Sequence, residues 1–181
     1  LWQDVLELCN TDSQESNFRQ GLFLGSIVTL SQPGKPEGIA KYLLIDGQQR
    51  LTTLCLLLAA MRDSTEEQEK AVSERIHGLY LENGFVQGMD KLKVLPTHAD
   101  RQAFNAIINR TGEVVASPIK EAYDFFCRSI KSRQESHKPF TVAALETAIL
   151  SKIEVVSITL SQDDNPYRIF ESLNGKGMPL T

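Results

Sequence analysis

Leu43-Leu44-Ile45-Asp46-Gly47-Gln48-Gln49-Arg50-Leu51-Thr52-Thr53-Leu54 is the stretch on which the reading of this chain turns. Three aliphatic residues run into Asp-Gly, a strong turn signal. An apolar run from Leu51 to Met61 then continues for about three helical turns. The pattern predicts a strand, a tight turn and a buried helix. Arg50 falls in the first helical turn, where the macrodipole is already positive, a placement that costs a few tenths to about 1 kcal/mol without a nearby anion. The first four N–H groups of a helix lack intrahelical acceptors, so an anion would meet backbone donors at the same place. These features predict a phosphate site. A second reading stands beside the first. Asp46 and Gln49 have the spacing of a capping box, with Asp46 as N-cap and Gln49 reaching back to its N–H. That box accounts for neither Gln48 nor Arg50, and the two readings are compatible. The stretch is not a GxxxxGK[ST] P-loop, and one glycine is too few for a dinucleotide fingerprint.

On the N-terminal side, Leu22-Phe23-Leu24-Gly25-Ser26-Ile27-Val28 predicts a strand buried on both faces. Gln32-Pro33-Gly34-Lys35-Pro36-Glu37-Gly38 predicts an exposed loop, and Lys41 to Ile45 a second strand. Two strands joined by that loop suggest an antiparallel hairpin ending in the Asp46-Gly47 turn. Further upstream, Leu1, Val5 and Leu8 share one face of a short helix, and Asn10 to Gln20 is a polar connector.

Beyond Met61 the chain turns charged from Arg62 to about Lys70, and then Val72, Ile76, Leu79 and Tyr80 mark one helical face. Lys91 to Leu95 suggests a short strand. Thr97 with Asp100 opens a helix with Ala103, Phe104, Ile107 and Ile108 inward. Ser117-Pro118 starts another, since Pro fits the first helical position, with Ala122, Phe126 and Ile130 inward. Thr141 to Leu150 is a further helix. Phe104, Phe125 and Phe126 are expected as core aromatics. Lys152 to Leu160 alternates as a half-buried strand, and Asn165-Pro166 caps a short helix carrying Ile169, Phe170 and Leu173. That helix runs into Asn174-Gly175-Lys176-Gly177, either a special loop whose glycines permit close backbone approach or a helix C-cap followed by a turn.

Composition narrows the class. The chain has 181 residues, enough for one sizeable core or a core carrying a large insertion. Net charge is −4, so contact with nucleic acid requires a local basic patch or another domain. Cys9, Cys55 and Cys127 are far apart and odd in number, which argues against a disulfide framework. His77, His98 and His137 are isolated, and no CxxC or HxxxH spacing predicts a metal site built from protein nitrogen and sulfur. No apolar run is long enough for a membrane span and nothing resembles a signal peptide, so a cytoplasmic protein is expected. The start at Leu1 and the stop after Met178-Pro179-Leu180-Thr181 read as part of something longer.

Two motifs in this order resemble the hallmarks of one family. Asp46-Gly47-Gln48-Gln49-Arg50-Leu51-Thr52-Thr53-Leu54 is followed, over a hundred residues later, by Ile169-Phe170-Glu171-Ser172-Leu173-Asn174-Gly175-Lys176-Gly177-Met178-Pro179-Leu180-Thr181. Both look like the DGQQR-motif N-terminal domain of GmrSD-type, modification-dependent (type IV) restriction endonucleases. Leu22 to Val28, Leu95-Pro96-Thr97, Asp100-Arg101 and Phe104 match as well, so the resemblance covers essentially all of residues 1–181. It implies an α+β, helix-rich domain. Residues 1–61 and 152–181 would form a small mixed sheet of ParB/sulfiredoxin-like type, and about 62–151 a large helical insertion. It also implies a loop that binds, and in some members hydrolyses, nucleoside triphosphate, and thereby regulates cleavage of modified DNA by a separate HNH-type nuclease domain. Two departures stand out. The usual opening strand with a Tyr-Gln-Arg motif is missing, and so is the C-terminal nuclease domain, so these residues are not expected to cut DNA.

Asp46, Gln48, Gln49 and Arg50 are the expected catalytic set. Arg50 is the principal phosphate ligand, because a planar guanidinium pairs bidentately with phosphate oxygens. Gly47 permits close backbone approach, and the N–H groups of Gln48 and Gln49 are neutral donors. Asp46 is the candidate holder of Mg²⁺ on the triphosphate, or the group that orients a water. Asn174, Lys176 and Gly177 are expected to complete the nucleotide site, with Glu171 a weaker candidate base. The competing reading is a non-hydrolysing module that recognises DNA or its modification through the same loops.

Overall fold

The structure, a computed structural model, describes residues 1–10, 21–34, 38–65, 67–136, 140–161, 163–165 and 168. Along the chain run α1 (Trp2–Asn10), β1 (Leu22–Ser31), β2 (Tyr42–Asp46), α2 (Gln48–Asp63), α3 (Lys70–Ile76), α4 (Arg101–Asn109), α5 (Pro118–Gln134), α6 (Val142–Lys152) and β3 (Ile153–Leu160). The fold is helix-rich α+β with a small mixed sheet of strand order β2-β1-β3. Contacts divide it into two compact units. One comprises Leu1–Leu22 and Arg50–Ile153, and the other Phe23–Gln49 and Glu154–Thr181. Helices α1 and α2 therefore group with the helices of the 62–151 stretch.

In the sheet unit β1 and β2 are antiparallel as expected, paired Val28↔Asp46, Thr29↔Leu44, Leu30↔Leu43 and Ser31↔Tyr42. Between the first two pairs the register slips, and Ile45 on β2 is the extra residue, a bulge immediately before Asp46. The expectation that β1 is buried on both faces is corrected: Phe23 is 60% exposed, and within the strand only Ile27 and Val28 are buried. Along β3 Val155 and Val156 are exposed while Leu160 is buried, so the expected half-buried alternation is incomplete. Branched side chains fit a pleated surface whether or not it is covered, and this is why their presence overstated burial.

The helical unit is built around α2, whose Leu56, Leu57, Ala59, Ala60 and Met61 are almost completely buried. A helix that is apolar all round can only sit inside. Val5 of α1, Val72 and Ile76 of α3, Phe104, Ile107 and Ile108 of α4, Phe126 and Ile130 of α5, and Val142, Leu145 and Ile149 of α6 join it in one cluster. α5 and α6 each begin at a side-chain cap, whereas α4 begins at Arg101 with Asp100 making no side-chain cap hydrogen bond. The Ser117 hydroxyl accepts from the Lys120 N–H at 3.2 Å ahead of Pro118, and the Thr141 hydroxyl accepts from the Ala144 N–H at 3.1 Å. Between α3 and α6, the buried Glu146 carboxylate pairs with Arg75.

Four expectations fail in this unit, the last of them at Arg62. Leu79 is 55% exposed and Leu81 is buried in its place. The turn His77–Leu81 is π-helical, closed by the Glu82 N–H donating to the His77 carbonyl, and its wider winding carries the inward position from Ile76 to Leu81. Around Lys91–Leu95 the only pairing among the described residues is an isolated bridge between Glu82 and Leu92, not a strand. Phe104 and Phe126 are core residues, but Phe125 is 46% exposed.

Arg62, the first residue of the expected charged connector, is instead an internal part of α2 with only 1% of its surface exposed. Its Nε and Nη2 donate to the two carboxylate oxygens of Asp63 at 2.9 and 2.7 Å. Its Nη1 and Nη2 also donate to the carbonyls of Ile108 and Ile107 at 2.6 and 2.9 Å, so the cation closes the C-terminal end of α4. Asp63 accepts in addition from Arg110 Nε at 2.6 Å and Tyr123 Oη at 2.9 Å. Arg62 Nη1 lies 3.1 Å from His77 Nδ1, and His77 Nε2 lies 2.8 Å from Glu82, which also pairs with Lys91 at 2.8 Å. Because a guanidinium only donates, Nδ1 accepts and Nε2 carries the proton toward Glu82. Burial and the Arg62 charge lower the His77 pKa against the opposing pull of Glu82. Burial opposes ionisation of Asp63, yet hydrogen bonds from Arg62, Tyr123 and Arg110, with the Arg62 charge, hold it below the ordinary carboxylate range.

Candidate functional site

The turn at Asp46–Arg50 takes its geometry from one residue. Gly47 adopts φ +94° and is buried. A Cβ there would stand 3.1 Å from Ile27 Cγ1, 3.2 Å from Ile27 Cα and 3.2 Å from the Ser26 carbonyl oxygen. A positive φ favours glycine, and a Cβ here would require its neighbours on β1 to give by a few tenths of an ångström. The turn is therefore pressed flat against β1. It is bracketed by the bulge at Ile45 on one side and by α2 on the other, a device that fixes where Asp46 leaves the ladder.

α2 begins at Gln48. This makes Gly47 the flanking residue and Arg50 the third helical residue, one step out of register with a box formed by Asp46 and Gln49. There is no acidic residue in the first turn of this 16-residue helix, so within the helix itself nothing balances the positive end of the dipole where Arg50 stands. Asp46, Gln48 and Arg50 are half-buried and Gln49 is exposed. The five residues are consecutive in the chain, Asp46 to Gln49 in one compact unit and Arg50 at the first position of the other unit's second segment. Asn174, Lys176 and Gly177, and with them Glu171, lie outside the described residues. No group of three or more His, Cys, Asp or Glu able to hold a metal occurs among the described residues. A cation here would rest on Asp46 and on ligand oxygens, a mode that suits Mg²⁺ because it keeps several waters and takes one or two carboxylates alongside substrate phosphates.

A feature not read in the sequence lies on the helical unit. Trp2, Phe125, Arg128, Ser129, Ser132 and Arg133 line an open cleft of about 370 Å³ between α1 and α5. Its signal was present as an i, i+4, i+7/i+8 stripe, Phe125-Ser129-Ser132/Arg133, displaced by about a quarter turn from the apolar stripe that α5 buries.

Architecture and turn together define a helix-rich α+β domain in which β2 leads through the buried Gly47 turn to the start of α2. The family described as the GmrSD restriction endonuclease N-terminal domain matches residues 1–181. The chain belongs to that family, as a component of a restriction system acting on modified DNA alongside a nuclease domain. No curated protein matches it. Among the described residues, no helix is long and apolar enough to cross a membrane.

Proposed function

We propose that this domain binds a nucleoside triphosphate at Asp46–Arg50 and, with Mg²⁺, hydrolyses it to regulate cleavage of modified DNA by the nuclease domain. The observation that carries the reading is the Gly47 turn. A buried glycine at φ +94°, where a Cβ would crowd β1, precedes the start of a long buried helix, and the third residue of that helix is a cation. Arg50 takes phosphate oxygens through its planar fork. The backbone N–H groups of Gln48 and Gln49 point out of the helix end as neutral donors. Asp46 carries the Mg²⁺ or orients the attacking water. Asn174, Lys176 and Gly177 of the second motif are the further phosphate ligands that this reading calls for. Bound Mg²⁺ supplies charge neutralisation on the transferring phosphoryl group.

The test is a thermal-shift series with GTP, CTP, UTP and ATP, each with and without Mg²⁺. A nucleotide at about 100 times its Kd stabilises the fold by roughly 2.7 kcal/mol. For a chain of this size that raises Tm by about 5–11 °C. Arg50→Ala is expected to abolish both the shift and Mg²⁺-dependent phosphate release. No shift with any of the four nucleotides overturns the proposal, and salt-dependent DNA binding indifferent to nucleotide would put a non-hydrolysing DNA-recognition module in its place.

A further inference from the structure

The cleft between α1 and α5 is assembled from two kinds of surface. Its aromatic part is fixed from below. The buried ring of Phe126 holds Trp2 at a centroid distance of 6.4 Å with an interplanar angle of 56°, and Phe125 at 5.5 Å with an angle of 64°. Both outer rings therefore pack on one core residue and present their remaining faces at the surface. The polar part is cationic. From Phe125 to Gln134 α5 carries Arg128, Lys131 and Arg133 and no carboxylate. Among the described residues no carboxylate pairs with Arg128 or Arg133. The favourable field at a helix C-terminus accounts for Lys131 and Arg133 in the last turn. It does not account for Arg128, nor for a phenylalanine left 46% exposed beside it. In a chain of net charge −4, two guanidinium groups with no carboxylate partner among the described residues mark a place where a polyanion is drawn to the surface.

Aromatic faces next to arginines and hydroxyls match the two halves of a nucleotide. Every base has a π-face that stacks on an aromatic ring, and the backbone carries a phosphate on each side of it. A base inside a duplex hides that face, so the matching ligand is an unpaired one. We propose that this cleft binds an unpaired nucleotide of a DNA strand, with the base against Trp2 and Phe125 and the flanking phosphates on Arg128 and Arg133. Ser129 and Ser132 supply hydroxyls for the sugar or base edge. An acidic peptide would satisfy the arginines but leave both rings without a function. The site shares no residue with the Asp46–Arg50 turn and does not depend on triphosphate binding there.

Trp2 is the single tryptophan of the chain, and its fluorescence reports on the cleft directly. A short oligothymidylate, titrated into the protein at about 50 mM salt, is expected to quench Trp2 saturably, and at least tenfold more tightly than thymidine monophosphate or a matched duplex of equal length. Arg128→Gln with Arg133→Gln is expected to weaken binding at least tenfold. It should also reduce the slope of log K against log[salt] by about 1.4, since each single-strand phosphate contact contributes about 0.7. Phe125→Ala is expected to weaken binding at least fivefold with the slope unchanged, because stacking carries no counterion release. Arg128 alone, exposed on the helix, provides a single substitution that spares the core should the double variant unfold. Absence of saturable quenching by the oligonucleotide overturns the proposal. So does equal quenching by a poly-glutamate peptide with no effect of Phe125→Ala, which would make the cleft an acidic-peptide surface. Arg50→Ala is expected to leave the Trp2 signal intact, and the arginine double variant to leave any nucleotide-induced thermal shift intact, so the two sites fail independently.

Discussion

Arg62→Met removes a buried cation while keeping most of its volume, and the geometry fixes what is lost. Five contacts go at once: two to the Asp63 carboxylate, two to the carbonyls of Ile107 and Ile108, and one to His77 Nδ1. The hydrophobic stem is largely replaced, so the cost is electrostatic rather than a cavity. Breaking a buried pair by deleting one partner costs about 3–5 kcal/mol, because the other charge stays behind. Asp63 is not left wholly alone, since Arg110 and Tyr123 still donate to it, and this argues for the lower half of that range. The two α4 carbonyls argue the other way, as each orphaned buried acceptor costs about 1–3 kcal/mol. The expected loss is about 4 kcal/mol, or a fall in Tm of roughly 8–16 °C for a chain of this size. Urea unfolding followed by circular dichroism measures it. The double variant Arg62→Met, Asp63→Leu is expected to recover part of the loss, because Arg110, 53% exposed, can return to water. A loss below 1 kcal/mol for the single variant, or no recovery in the double, would refute the idea that this ion pair organises the junction of α2 and α4.

Gly47→Ala forces a side chain into a left-handed backbone position and to within 3.1–3.2 Å of β1. A destabilisation of about 2–4 kcal/mol is expected from strain and overpacking together, read as a lowered midpoint in thermal unfolding. The pH dependence has two windows. His77 has a folded pKa lowered by burial and by Arg62, so its neutral form contributes stability above the unfolded value of about 6.5 that declines as pH falls toward the folded value. Asp63 is held below its ordinary range, so its contribution is present above an unfolded value of about 3.9 and is lost as pH falls through the folded value. His77→Gln is expected to flatten the upper window and leave the lower one, measured by midpoint against pH.

The parts of this fold legible from sequence are those decided within a turn or two of the chain. Ser117-Pro118 and Thr141 announce their helices because a hydroxyl and an N–H three residues on are all a cap requires. Asp46-Gly47 announces its turn because a positive φ is a property of one residue. Legibility fails where the deciding partner is remote or where winding departs from 3.6 residues per turn. Arg62 reads as the start of a polar connector because what buries it, His77, Ile107, Ile108 and Asp63 with its own remote donors Arg110 and Tyr123, is for the most part 15 to 61 residues further on. Leu79 and Leu81 exchange places because a single π turn is silent in composition. Phe125 and Phe126 make the point most sharply, since adjacent positions on a helix point about 100° apart and only one of the two can face the core. Which of two aromatic residues is left over is decided by the neighbouring helix. The one left over stands beside Arg128 and Arg133, which have no carboxylate partner among the described residues, and an exposed aromatic face next to cations is where binding is to be sought.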